Sequence, residues 1–512
     1  MARSRDDDQR RISRRALLRG GGAAGGLAAL SGAGLLGAAA AQAQEERGER
    51  ERPNVVVIFA DRLRTDYIGA YDDVFDDRDT KTPNIDQLAD RALRFRYATA
   101  DGLGPVPARR GLLTGMRSYP FRDWRATAGM PAVPGLNKVY DFQPLLLELT
   151  AAAGVETRWV TDNPTLDGPR FRDVIVRTGR LPLSSEFEPT ERDYLLPLGG
   201  PIRARRQEPT QKVLKAGELQ LEQLRDSQPF LLGLDAFDLN DAFEMPRQYV
   251  AGYGPIHNDV SLPQRVDYLQ TIKVRADDDV KAEVRSRYAR EVRDVDAAIG
   301  RFLDKLSDLG LADRTVVILV SDGGIALGEQ GVYGSPSGVW HRRVYHVPLL
   351  LKDPSGRWAG DTSSWYASTY DVPTTILSYL GITIPGRMAG EDLTTLLEDF
   401  DLPPRPYYTT AVDTHVVVGD RHFLLIGRSD EDRWRLYEAE DEDEPDDLRT
   451  ETVKSPTVLE EMRRWALTAA GGTLPVFDDE SAVQPREPDA QDKKVADDGT
   501  LDEDEAEANE LR

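Results

Sequence analysis

Cysteine is absent from the 512-residue chain. That one absence excludes disulfides, thiolate metal sites and a cysteine-derived nucleophile together. Positive charge is in deficit: 65 Lys and Arg face 88 Asp and Glu, for a formal charge of −23. A surface so acidic argues against nucleic acid as a partner and for strong solvation. Arginine outnumbers lysine among the bases, so the acidity is not a simple depletion of basic residues. Internal repeats are missing too. What is present is 40% apolar content, enough at this length for one large domain with a real core and an appendage.

Residues 1–43 read as an address. Ser13, Arg14, Arg15, Ala16, Leu17, Leu18 and Arg19 form a twin-arginine pattern, followed by a Gly/Ala/Leu stretch and the small-residue cleavage pattern Ala41-Gln42-Ala43. The apolar run approaches spanning length, which leaves a single membrane anchor as the alternative. Its Gly/Ala character and terminal cleavage pattern favour removal, so a membrane is expected as a partner only if the segment stays uncleaved. The expected location is periplasmic or extracellular. The segment holds seven Arg and three Asp, so the remainder of the chain is more acidic still.

After a linker at 44–52, an α/β domain is expected over 53–403, a subdomain over 404–471 and a disordered acidic tail over 472–512. Val55 to Phe59 is a continuous apolar run, the pattern of a parallel strand buried on both faces, and it ends at Ala60-Asp61-Arg62. Functional groups in open α/β sheets sit beyond the carboxyl ends of strands, so Asp61 stands where a site residue would. Further strands are expected at Glu156 to Thr161, Pro229 to Leu234, Thr315 to Val320 and Pro348 to Leu351. Helices are expected near Pro83, over Phe142 to Ala153, Tyr288 to Leu309 and Tyr370 to Leu380. Strand-helix alternation of this kind implies a mostly parallel sheet with helices on both faces. Residues 166 to 228 resist ordering. Beyond 404, YYTTAVDT, HVVVGDRHFLLIGR and RWRLYEAED alternate as antiparallel strands, followed by a helix from about Pro456 to Ala470.

The stretch Gly104 to Gly115, GPVPARRGLLTG, resembles the sulfatase signature: Cys or Ser, any residue, Pro, a small residue, Arg, then a Leu-Thr-Gly helix segment. Pro107, Ala108, Arg109, Leu112, Leu113, Thr114 and Gly115 fall in place. TPNIDQLADRALRF and DVPTTILSYLGI also resemble family segments, and the resemblance runs from about Arg52 to Leu396. It implies an alkaline-phosphatase-like fold. It also implies a formylglycine nucleophile and a divalent cation, usually calcium, held by acidic and amide oxygens.

The positions that would carry this chemistry are largely substituted. Pro105 stands at the nucleophile position and has no group that could attack an ester. Of the metal-ligand positions, Asp61 and Asp322 match, while Arg62 replaces a second Asp and Gly323 directly follows Asp322. Asn240 stands where the family carries a His, Asp162 where it carries a Lys, and Gln330 where it carries another His; a following Lys is lost near Ser335. Arg109, which in the family helps hold nucleophile and metal, is kept.

Arg62 is therefore expected to take over the charge of the cation, beside Asp61 and facing Asp322. Asp61 and Asp322 either retain residual cation binding or cap nearby backbone N–H groups. Arg109 is either a functional remnant or a core ion pair. Thr99 and Thr114 are the nearest hydroxyls to Pro105, with no His or Lys placed as a base. His346 matches a packing position, His341 could line the pocket, and Asp162, Asp235 and Asp238 are strand-end acids.

The reading is an exported member with impaired or lost sulfuric ester hydrolysis, whose pocket or surface binds an unidentified ligand or protein. Calcium is expected only if the residual site still holds a metal. One alternative is an active sulfuric or phosphoric ester hydrolase with a rearranged site. Another is a non-catalytic partner of an active paralogue.

Overall fold

The structure, a computed structural model, describes residues 52–71, 81–103, 105–120, 143–161, 175–177, 209–236, 271–273, 278–329, 332–334, 342–398, 405–412, 415–428, 433–438 and 455–473. The segment 1–43 and nearly all of 472–512 lie outside these residues, as do Asp162, Asp238, Asn240, Gln330, Ser335 and His341. No helix among the described residues is long and apolar enough to cross a membrane.

Strand β1 (Asn54–Ala60) is buried along its whole length. Successive side chains point to opposite faces of a sheet, and Val55, Val57 and Phe59 enter one core while Val56, Ile58 and Ala60 enter the other. With β1 run β2 (Leu93–Phe95), β3 (Glu156–Thr161), β4 (Ile175–Arg177), β5 (Phe230–Ala236), β7 (Thr315–Val320), β10 (Leu349–Lys352) and β11 (Thr362–Ser363). They form one eight-stranded sheet in the order β11-β2-β10-β7-β1-β5-β3-β4. The pairs β1/β5, β1/β7, β3/β5 and β3/β4 are parallel. Strand β10 departs from the alternation seen in the sequence, pairing antiparallel with both β7 and β2. The strands β6 (Thr271–Lys273), β8 (Ala326–Leu327) and β9 (Val332–Gly334) form a separate small sheet.

The helices are α1 (Pro83–Ala89), α2 (Pro105–Thr114), α3 (Leu146–Ala152), α4 (Pro209–Leu224), α5 (Asp278–Asp308), α6 (Arg342–Tyr345), α7 (Asp371–Tyr379), α8 (Leu393–Glu398) and α9 (Pro456–Ala469). Residues of α2, α3 and α7 join the core on one face of the sheet, and those of α1, α4 and α5 join the other. Helix α5 buries Tyr288, Val292, Val295, Ile299, Phe302 and Leu306, the three-four stripe expected from the sequence, but begins ten residues earlier. Its Asp296 accepts the backbone N–H groups of Asn84 (3.1 Å) and Ile85 (2.8 Å), which satisfies the start of α1.

The strands β12 (Tyr408–Val412), β13 (His415–Gly419), β14 (Phe423–Arg428) and β15 (Arg433–Glu438) form an antiparallel sheet against which α9 packs. It joins the segment between β2 and α2 through backbone bonds. Leu103 N–H donates to the Ala411 carbonyl (2.9 Å), and Ala411 N–H to that of Asp101 (3.3 Å). A bidentate clamp adds to this: Arg405 donates to both carboxylate oxygens of buried Asp371, at 2.7 and 2.6 Å.

Candidate active site

Four parallel strands end side by side, and each end contributes a polar group: Thr161 from β3, Asp235 from β5, Asp61 from just beyond β1 and Asp322 from just beyond β7. The chain turns sharply after β1. Asp61 N–H donates to the Ala236 carbonyl (3.0 Å), and Arg62 then takes φ 54°, a conformation uncommon for a residue with a side chain. Three groups hold it there. Arg62 N–H donates to the Asp322 carboxylate (2.7 Å), Leu63 N–H to the Ser321 hydroxyl (3.0 Å), and the Tyr288 hydroxyl to the Arg62 carbonyl (2.6 Å). After β7, Gly323 takes φ 145°, and a side chain there would press on the Val344 carbonyl.

Helix α2 opens on Pro105, where a missing N–H costs nothing because the first helical donors have no partner within the helix. One turn on, it delivers Arg109. The guanidinium is buried and lies 4.7 Å from the centroid of the Phe59 ring. It donates to Asp235 from Nε (2.9 Å) and Nη2 (2.7 Å), and its Nη1 reaches Asp61 and Asp322, each at 3.3 Å. The Thr161 hydroxyl donates to the other Asp235 oxygen at 3.1 Å. Burial disfavours the Arg109 charge, but Asp235, Asp61 and Asp322 outweigh it, so the pKa lies above the ordinary arginine value.

Burial, and next the charge of Asp322, push the Asp61 carboxyl well above the usual carboxylate range; Arg109 and Arg62 only partly offset them. Arg62 stands beside Asp61, at the edge of the cage. Its side-chain Nε comes within 3.8 Å of Asp61, but its contact with Asp322 runs through the backbone. The side chain that touches all three acids is Arg109, as a core ion-pair residue. Thr114 is satisfied by the Arg110 carbonyl (2.7 Å). Thr99 lies where its segment bridges to His346 and Ser368.

A divalent cation, which the resemblance implies, does not fit these residues as they stand. The guanidinium lies among the three carboxylates, and among the described residues no set of three His, Asp or Glu side chains is placed to hold a metal ion. Thr161 escaped the sequence reading, which passed over it to Asp162. Its only signal was its place as the last residue of a strand.

Beside this cage lies a second buried charge cluster. Arg64 donates to both Asp66 oxygens (2.8 and 2.7 Å), to Glu329 (3.1 Å) and to the Ile325 carbonyl (2.8 Å). Arg285 shares Glu329 at 3.3 Å. The two clusters are joined by Tyr288, whose hydroxyl also accepts the Arg64 N–H at 2.9 Å.

Residues 53–382 match the family model described as Sulfatase. The chain belongs to the sulfatase family. Human iduronate 2-sulfatase is 26% identical over 395 residues, covering 68% of this chain and 67% of that protein. The ulvan-active sulfatase of Formosa agariphila is 26% identical over 380 residues, covering 70% and 67%. Among solved structures, the phosphonate monoester hydrolase of Agrobacterium radiobacter superposes with a TM-score of 0.59 at 19% identity, covering 85% of this chain and all of that one. A 2-O GAG sulfatase gives 0.61 at 15% identity, covering 87% and 100%. The sheet, its flanking helices and the four-stranded appendage are thus the alkaline-phosphatase-like sulfatase fold expected from the sequence.

Proposed function

We propose that this sulfatase-family protein binds sulfated saccharides without cleaving them. The observation that carries this reading is the start of α2: the residue at the nucleophile position is Pro105, which offers no hydroxyl or thiol, and one turn later Arg109 is committed to three carboxylates. A relative named for action on ulvan and others named for iduronate and N-acetylglucosamine sulfates support the ligand class. So does a local reversal of charge on an acidic protein. Arg96, Arg342 and Arg421 lie 5.7, 5.2 and 5.8 Å from the centroid of the partly buried Tyr97 ring, which stands 6.0 Å from the ring of Tyr366. Guanidiniums pair with sulfate oxygens, and tyrosine faces stack on sugar rings.

The test sets the purified protein against 4-nitrophenyl sulfate and phosphate, and against sulfated and desulfated oligosaccharides by calorimetry. No turnover above buffer, with binding of the sulfated forms alone, is expected. Turnover of either ester would overturn the reading.

The Thr161 hydroxyl on Asp235 favours a second reading, a hydrolase with a rearranged site. The Asp235 carboxylate is already taken by two Arg109 donors, which counts against it. Should turnover occur, Thr161→Val would abolish it if Thr161 is the replacement nucleophile.

A further inference from the structure

We infer that the Arg109 guanidinium is the resident cation of the cage formed by Asp61, Asp235 and Asp322, so that this fold is complete without a divalent metal. The inference concerns the cation and stands apart from the loss of hydrolysis. An active wild type would leave it intact.

Geometry is the first ground. Arg109 reaches the three acids at 2.7, 3.3 and 3.3 Å, and the four side chains are all but inaccessible to solvent, at 0–2% relative exposure. A calcium ion needs oxygens at about 2.3–2.6 Å on every side. It cannot share the cage with a guanidinium that already stands between those oxygens. The position of Arg109 is also over-determined: Asp235 holds it through two donors, the Phe59 ring lies against it, and Thr161 fixes the far oxygen of Asp235.

Charge is the second ground. Three carboxylates face Arg109 and, at its edge, Arg62. A divalent ion added to these two guanidiniums would place four positive charges against three negative ones in a buried space. Replacing Arg109 by a neutral residue leaves the acids as like charges buried at close quarters, which is costly.

The test is thermal unfolding of wild type, Arg109→Ala, Arg109→Gln and Arg109→Lys, each in millimolar calcium and in chelator, with elemental analysis of the purified proteins. Wild type and Arg109→Lys should melt at the same temperature in both conditions and carry no stoichiometric metal. Arg109→Ala should melt lower than wild type by about 3 °C or more, in calcium and in chelator alike. If Arg109→Ala does not accumulate, Arg109→Gln serves in its place, because it keeps much of the bulk and loses only the charge. A stoichiometric divalent ion in wild type, or a calcium shift of that size in wild type, would overturn the inference. Neutral variants that melt with wild type would overturn it as well.

Discussion

Tyr288 shows what single side chains do around the cage. Its buried hydroxyl donates to the Arg62 carbonyl and accepts from the Arg64 N–H, and so braces the one strained residue of the turn. Tyr288→Phe leaves two buried backbone groups unpaired and is expected to cost about 1–3 kcal/mol, read from urea unfolding. His346 offers a second measurement. Burial, followed by the charge of Arg342, lowers its pKa from 6.5 to about 3. Above pH 6.5 both folded and unfolded chains hold it neutral, and its full contribution to stability is present. As pH falls through 6.5 toward 3, only the unfolded chain takes up the proton, and stability drops by up to about 1.4 kcal/mol per pH unit. His346→Gln should therefore lose less stability than wild type between pH 6.5 and 4 in parallel unfolding titrations; equal slopes would refute this. The strand-end acids Asp61 and Asp322 were legible in the sequence because apolar runs point straight at them. The partnership of Arg109 with Asp235 was not, because it spans 126 residues of chain and leaves no local pattern.

Among the elements, β1, β5 and β7 were legible because strands buried on both faces must be apolar throughout. Helix α4 was not read, although Val213, Leu214, Leu221 and Leu224 are buried along it, because Pro and Arg clusters upstream obscured its stripe. A device shared by the sheets leaves no local pattern to read. Three glycines each pair across from a large aromatic: Gly233 with Trp159, Gly419 with Tyr408 and Gly427 with Trp434. In each pair the ring lies where a glycine side chain would be, so the missing Cβ is space already filled. Gly233→Ala would collide with the fully buried Trp159 and is expected to destabilise by about 1–3 kcal/mol. The Trp159 environment should change with it, visible as altered near-ultraviolet dichroism relative to wild type.

At the scale of the whole molecule, charge is arranged in two regimes. Inside, arginines and acids are matched one against another. Outside, a net −23 repels itself. Salt screens exposed charges far more than buried ones, so the melting temperature should rise by a few degrees between low and near-molar sodium chloride. A fall would mean that exposed ion pairs dominate instead. The segment leading into the four-stranded sheet is bound to the start of α7 by the Arg405 clamp on Asp371. Arg405→Met strands a buried carboxylate and should cost about 3–5 kcal/mol. If the clamp couples the two sheets, the loss should show in a single transition that moves as one, and a split transition would count against it.

The strand order carries a consequence for how the chain is made. β1 lies at the centre of the large sheet, yet its neighbours β5 and β7 begin at residues 230 and 315. A ribosome therefore releases this central strand long before either of its partners. Until Val320 has emerged, the segment NVVVIFA has no edge on which to complete itself, and every nascent chain passes through a long interval with its future centre unclaimed. A chain stopped short of β7 would thus be an unfinished surface, the kind that chaperones hold, and commitment to the native topology waits until well past the midpoint of synthesis.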